Sequence, residues 1–261
     1  MKCTNCQTET SDIGDLHCRK IFKNEFERLL EKWESTKAID YFKAFLFKDP
    51  SSNEWKNNKW KKVYENMVKE EEKKEMTVLG MKIRKKQLLN ERELIILKNN
   101  QKNEWLGYYH YTQYQINKDI WEQIKACSFY RDADKPDVGI KITEKINNKN
   151  PDKTALAALY TTRGGAYKDF GNYNEAIECA NKAIQINKTF YPYTLLGAVY
   201  ILKESFSKAD ECFEIAIRLG ADHRLIGYEI QKASQKLSAT AKKEIRGIFY
   251  KKYTAFKEPN N

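Results

Sequence analysis

The chain has 261 residues, of which 41% are hydrophobic and 32% charged, and its formal net charge is +11. It contains no apolar run long enough to span a bilayer, and its first residues, MKCTNCQTET, lack the charged and then apolar pattern of a signal peptide. These features argue against a membrane-spanning or secreted protein. We therefore expect a cytoplasmic protein without membrane contacts, long enough for one sizeable domain and a smaller region.

The segment 1–20 carries a Cys-x-x-Cys pair followed by a second Cys-bearing stretch. Its potential zinc ligands are Cys3, Cys6, His17 and Cys18. Small zinc sites are built in this way, because four tetrahedral ligands must converge from two chain segments. A regular ribbon would have a further Cys where Ile21 stands, so the fourth ligand would be His17 or a residue from elsewhere in the chain. The pattern predicts a structural zinc knuckle and leaves open a remnant without metal, a redox pair or free thiols.

Residues 21–118 show no repeat and predict a charged helical region. Apolar residues at helical spacing predict one helix over about 20–47 and further helices from about 54 to about 115. The periodicity is ambiguous over 76–83, where Gly80 weakens a helix and a kink or a short strand is equally compatible. The aromatic stretch 105–116 is predicted to pack on the following domain and shield its end from solvent. Its large rings are Trp105, Tyr108 and Tyr109.

Basic residues of this region raise the question of nucleic-acid binding. The candidate phosphate contacts are Lys59, Lys61, Lys62, Arg84, Lys85 and Lys86. The positive charge is not concentrated, however: residues 1–118 hold 24 Lys and Arg against 18 Asp and Glu, and residues 119–261 hold 23 against 18. An AT-rich coding sequence gives the same enrichment in Lys without selection for binding, so both explanations stay open.

Two successive copies of one helix–turn–helix pattern follow, over Leu159–Asn187 and Tyr193–Asp222. Small residues of the first copy recur 33 positions later in the second: Gly164, Ala176 and Ala183 correspond to Gly197, Ala209 and Ala216. Large residues between them recur likewise: Tyr160, Tyr167 and Tyr173 correspond to Tyr193, Tyr200 and Phe206. Small residues where two helices cross allow close approach, so the pattern predicts tightly packed antiparallel pairs.

This arrangement, with a period near 34, resembles the tetratricopeptide repeat. The resemblance implies an all-α solenoid of about three helix pairs over 119–256, with C-terminal capping helices and a tail at 257–261. A divergent third copy lies upstream. Its matching residues are Cys127, Tyr130, Gly139, Ile146 and Pro151.

The resemblance also implies a concave groove, lined by the first helix of each pair, that binds a peptide or a partner helix. The residues placed there are Trp121, Ile124, Ser128, Arg131, Ala158, Thr161, Gly165, Lys168, Tyr191, Thr194, Ala198 and Ile201. Alternatively, some of them only contact the neighbouring helix. Family members that grip chaperone tails need Lys or Asn where Thr161, Gly165, Thr194 and Ala198 stand, so that ligand is not implied. The mixture suits an amphipathic helix or an apolar peptide with some acidic character.

The three histidines, His17, His110 and His223, are not spaced as a nucleophile–base or hydrolytic metal set, and no Gly-rich phosphate loop occurs. We therefore expect no enzymatic activity, and predict a protein- or peptide-binding adaptor. One alternative is a nucleic-acid-associated accessory factor that uses the Lys-rich helices. Another is a zinc-held nuclease-like protein, although the paired His and Asn of such enzymes are missing.

Overall fold

The structure is a computed structural model that describes residues 59–145, 152–249 and 252–253. Within these ranges the chain forms eleven α-helices and no strand, which confirms the predicted all-α class. The helices are α1 (Lys59–Arg84), α2 (Glu91–Asn99), α3 (Asn103–Asn117), α4 (Ile120–Asp132), α5 (Pro136–Thr143), α6 (Lys153–Phe170), α7 (Tyr173–Ile186), α8 (Phe190–Leu202), α9 (Phe206–Arg218), α10 (His223–Ser234) and α11 (Ala239–Phe249). None of these described helices is long and apolar enough to cross a membrane.

The chain divides into two compact units, Met1–Arg84 and Lys85–Asn261. In the first unit, α1 runs without interruption through Gly80, so the ambiguous stretch 76–83 is helical. A single interior glycine weakens a helix by only about 1 kcal/mol relative to alanine, which the remaining residues of a long helix offset. The predicted helix over about 20–47 lies outside the described residues.

The second unit contains three helix pairs in sequence, α4 with α5, α6 with α7, and α8 with α9. The second helices of the two similar copies begin at Tyr173 and Phe206, which are 33 residues apart, as the sequence period requires. The pairs stack because α4 packs on α6, α6 on α8, and α7 on α8. This stacking of consecutive pairs is the solenoid that the repeat pattern predicts.

Small residues lie where the paired helices cross. Four alanines predicted at these crossings have no exposed surface: Ala176, Ala183, Ala209 and Ala216. At Gly164 a Cβ atom would lie 2.7 Å from Leu195 Cδ2, and at Gly197 it would lie 2.3 Å from Phe213 Cε1. Both separations are shorter than van der Waals contact, so the helices can cross this closely only because both residues are glycines. The predicted register of the two repeats is therefore the one in the structure.

The aromatic helix α3 packs along α4, as predicted for the stretch 105–116. Tyr109 is buried and its hydroxyl accepts a hydrogen bond from the Leu89 amide. Tyr108, in contrast, remains 43% exposed. Successive residues of a helix point about 100° apart, so two adjacent tyrosines cannot both face the same neighbour.

The C-terminal end of the solenoid is closed by α10 and α11, which the sequence predicts as capping helices. Their apolar faces join one cluster with α9, to which Phe213, Ile230 and Phe249 contribute. Tyr253, past the end of α11, has no exposed surface and donates a hydrogen bond from its hydroxyl to Asp210 Oδ1 at 2.8 Å. This contact holds the chain after α11 against α9.

Candidate functional site

The first helices of the pairs and the capping helix α10 pack in the order α4, α6, α8, α10. We call the surface that they form the first-helix face. All the predicted groove residues belong to α4, α6 or α8. Residues at equivalent repeat positions on these three helices differ in exposure, and the difference divides the face into two halves.

The half near the N-terminal ends of these helices is open. Trp121 on α4 and Tyr191 on α8 stand at equivalent repeat positions and are 44% and 60% exposed. The equivalent residue of α6, between them in the helix order, is the small Ala158. The two exposed aromatic residues therefore belong to the helices that pack on either side of α6, whose own residue at this position is small.

Two further predicted groove residues lie one turn along from these positions. Ile124 is half-buried and packs against Ile120 and Leu159. Thr161 is half-buried, and its hydroxyl donates a hydrogen bond to the Ala157 carbonyl at 2.8 Å. Both side chains thus contribute partly to packing and partly to the accessible surface.

The half near the C-terminal ends is occupied by charged side chains of the protein itself. Arg131 Nε donates a hydrogen bond to Asp169 Oδ2 at 2.7 Å, which joins α4 to α6. A Cβ atom on Gly165 would lie 2.7 Å from Arg131 Cζ, so the guanidinium reaches Asp169 only because residue 165 is a glycine. The predicted groove residues Arg131 and Gly165 are therefore engaged with each other.

Lys168 continues this charged network from α6 to α10. It is only 8% exposed, and its Nζ lies 3.5 Å from Glu229 Oε2 and 3.9 Å from Asp169 Oδ1. Burial lowers the pKa of Lys168 from its ordinary value, and the two carboxylates act in the opposite direction. We name the four side chains the face network: Arg131, Asp169, Lys168 and Glu229.

The remaining predicted groove residues on α8 face the interior. Thr194 is 6% exposed and its hydroxyl donates to the Phe190 carbonyl, while Ala198 and Ile201 have no exposed surface. At these three positions the side chains contact neighbouring parts of the protein, which is the alternative that the sequence left open. Their side chains are not presented to a partner in this structure.

A second polar cluster, which sequence reasoning did not assign, joins α3 to α4. His110 Nδ1 lies 2.6 Å from Glu122 Oε2, and Lys125 Nζ donates to Glu122 Oε1 at 2.7 Å. The His110 ring stacks on Phe129 with a centroid separation of 5.3 Å. Burial lowers the pKa of His110 although Glu122 hydrogen-bonds to it. Burial alone would raise the pKa of Glu122, but hydrogen bonds from Lys125 and His110 lower it.

The predicted zinc ligands Cys3, Cys6, His17 and Cys18 lie outside the described residues. Within the described ranges, no group of three or more His, Cys, Asp and Glu is placed to hold a metal ion. Among the predicted phosphate contacts, Lys59, Lys61 and Lys62 belong to the first turn of α1. Arg84 ends that helix and is exposed, as are Lys85 and Lys86.

Asp169 and Glu229 are the members of the face network that the repeat pattern did not indicate. Asp169 directly follows the predicted groove residue Lys168 on α6. This position would have allowed an ion pair between Asp169 and a basic residue of the neighbouring helix α4. Glu229 lies on α10, which has no small-residue signature and so no register by which to align it.

Comparison with known families supports the repeat assignment. Residues 157–190 match the model of the tetratricopeptide repeat family. The matched stretch covers most of α6, all of α7 and the first residue of α8. A search of curated proteins gave no significant match to the chain. The chain therefore contains a tetratricopeptide repeat, a unit that generally mediates protein–protein interaction.

Proposed function

We propose that residues 119–256 act as a non-enzymatic adaptor that binds a segment of another protein on the first-helix face. The matched repeat supports an interaction role. The observation that carries the location is the exposure of Trp121 and Tyr191, since large exposed aromatic side chains are typical anchors of protein interfaces. Repeat solenoids present such surfaces along their stacked helices.

The open half of the face favours an apolar segment. Trp121 and Tyr191 offer ring surface on both sides of Ala158, which leaves room for an aliphatic side chain. Lys153 and Lys188 are exposed near the N-terminal ends of α6 and α8, and they favour acidic residues beside the apolar anchor. The ligand class is therefore an amphipathic helix or an extended apolar peptide with some acidic character.

The test begins with capture of partners by the intact chain from a lysate of its own source, followed by their identification and direct titration. We expect Trp121→Ala and Tyr191→Ala each to weaken binding of an identified partner at least about tenfold, as truncation of an aromatic anchor does. Both side chains are exposed, so thermal stability should change little.

Phe170→Ala is the matched control, because Phe170 is 55% exposed at the end of α6 but does not stand at the repeat position of the other two aromatics. Partner binding should be retained in this variant. Wild-type affinity in both Trp121→Ala and Tyr191→Ala would remove the first-helix face as the binding surface.

A further inference from the structure

The Lys168–Glu229 ion pair joins two helices that are separated by a third. Lys168 lies on α6 and Glu229 on α10, while α8 packs against both of these helices. The ion pair, with 3.5 Å between Nζ and Oε2, thus connects two helices of the first-helix face that are not neighbours in the helix order. Arg131 and Asp169 extend the same chain of charges back to α4.

A contact of this range matters in a repeat array. Each unit of a solenoid touches only its neighbours, so the bend of the array is the sum of small rotations at successive interfaces. A pair that reaches from the first to the third of three successive helices opposes the rotations at both intervening interfaces. It therefore limits the bend directly.

The sequence of α8 explains why Lys168 pairs with α10. The helix Phe190–Leu202 contains no charged residue, and its residues at the level of Lys168, Ala198 and Ile201, are fully buried. The lysine therefore finds its carboxylates on α6 itself, at Asp169, and on α10, at Glu229.

The surroundings also make the pair persistent. The Lys168 side chain is 9% exposed and that of Glu229 is 22% exposed. Charges that are largely out of water attract each other more strongly and are screened less by salt than surface charges. Separating them would leave the largely buried Lys168 ammonium group with Asp169, 3.9 Å away, as its remaining carboxylate partner, which is unfavourable.

We propose that the Lys168–Glu229 pair is a staple across α8 that fixes the distance between α6 and α10, and with it the width of the first-helix face. The staple acts in the free protein and does not depend on which ligand binds there. Removing it widens the face and broadens the range of bends that the solenoid adopts.

The experiment measures the distance between spin labels on α6 and α10 in the full chain without a partner. The labels are attached through unnatural amino acids at Lys153 and Arg224, which are exposed in the first turns of the two helices. We expect one narrow distribution in the otherwise unchanged protein, also at high salt. Glu229→Gln and Lys168→Met should each shift it to longer distances and broaden it.

Lys252→Met is the control, because it breaks ion pairs to Asp210 and Glu214 that involve neither α6 nor α10. Its distance distribution should match that of the unchanged protein. Far-UV circular dichroism verifies folding, and Glu229→Gln, which preserves side-chain size, decides the outcome if Lys168→Met loses helical signal. An unchanged distribution in folded Glu229→Gln would overturn the staple.

Discussion

His110 shows how burial decides the chemistry of a single side chain in this protein. The ring is 7% exposed between α3 and α4, and its neighbours include one carboxylate and one ammonium group, Glu122 and Lys125. The carboxylate favours the charged imidazolium, yet desolvation outweighs it and lowers the pKa of His110 below 6.5. The native protein therefore holds a neutral imidazole at a pH where the unfolded chain is partly protonated.

This shift predicts a pH dependence of stability. Below pH 6.5 the unfolded state binds a proton at His110 that the native state resists, so the free energy of unfolding should fall as the pH drops from 7.5 to 5.5. The loss ends once the pH passes the lowered native pKa, and its slope is at most about 1.4 kcal/mol per pH unit for one proton. Urea unfolding at several pH values measures it.

His110→Gln should flatten the dependence, since the amide does not titrate. His223→Gln provides the comparison, because it makes the same change of residue type at an exposed position at the start of α10. An equal slope in His110→Gln and the unmodified protein would assign the pH dependence to other groups. The pKa of Glu122 is lowered from 4.5, so that carboxylate acts only at more acidic pH.

Among the helices, α7 and α9 owe their position to small residues on the buried side. Ala176, Ala180 and Ala183 of α7 have no exposed surface, and Cys179 Cβ lies close to the space that a side chain on Gly164 would need. Close crossing thus leaves no room for larger groups on this face. In α9 the small residues recur at Ala209 and Ala216, while Phe213, at the position equivalent to Ala180, fills the space beside Gly197.

Ala183→Leu should overpack this crossing. Extra methylene groups in a closely packed interior force shifts of side chains and backbone, with an expected loss of about 1–3 kcal/mol. Lys182→Leu is the matched control, because Lys182 is exposed on the same helix and Leu and Lys have similar helix propensities. Thermal and urea unfolding measure both variants, and equal stability of Ala183→Leu and the unmodified protein would contradict the crossing.

The helix pairs could be predicted because close approach imposes a sequence requirement that recurs at each repeat, as Gly164 and Gly197 show. The sequence could not predict which residues of the first-helix face are exposed. Lys168 stands at a repeat position that usually faces a groove, but in the structure its side chain is buried and pairs with Glu229 on α10. Whether a residue is covered depends on an element without a repeat pattern, so no local rule in the sequence identifies it.

For the molecule as a whole, the solenoid has a core of its own. The cluster around Phe213, Ile226 and Ile245 forms entirely within the second unit, and each repeat is stabilised by its neighbours. The zinc ligands predicted at Cys3, Cys6, His17 and Cys18 precede Lys85 in the sequence and so are not part of the second unit. Loss of a metal there should therefore leave the repeats folded.

We expect purified protein to contain close to one equivalent of zinc, and Cys6→Ser to release it, because a structural site needs its full set of four ligands. Chelation should preserve most of the helical circular dichroism, unlike in an isolated zinc finger, which unfolds without metal. Cys212→Ser, in a repeat helix, should retain the zinc. Absence of zinc from protein purified under reducing conditions without chelators would leave these cysteines as a remnant or a thiol pair. Retention of zinc in His17→Ala would assign the fourth ligand to another residue.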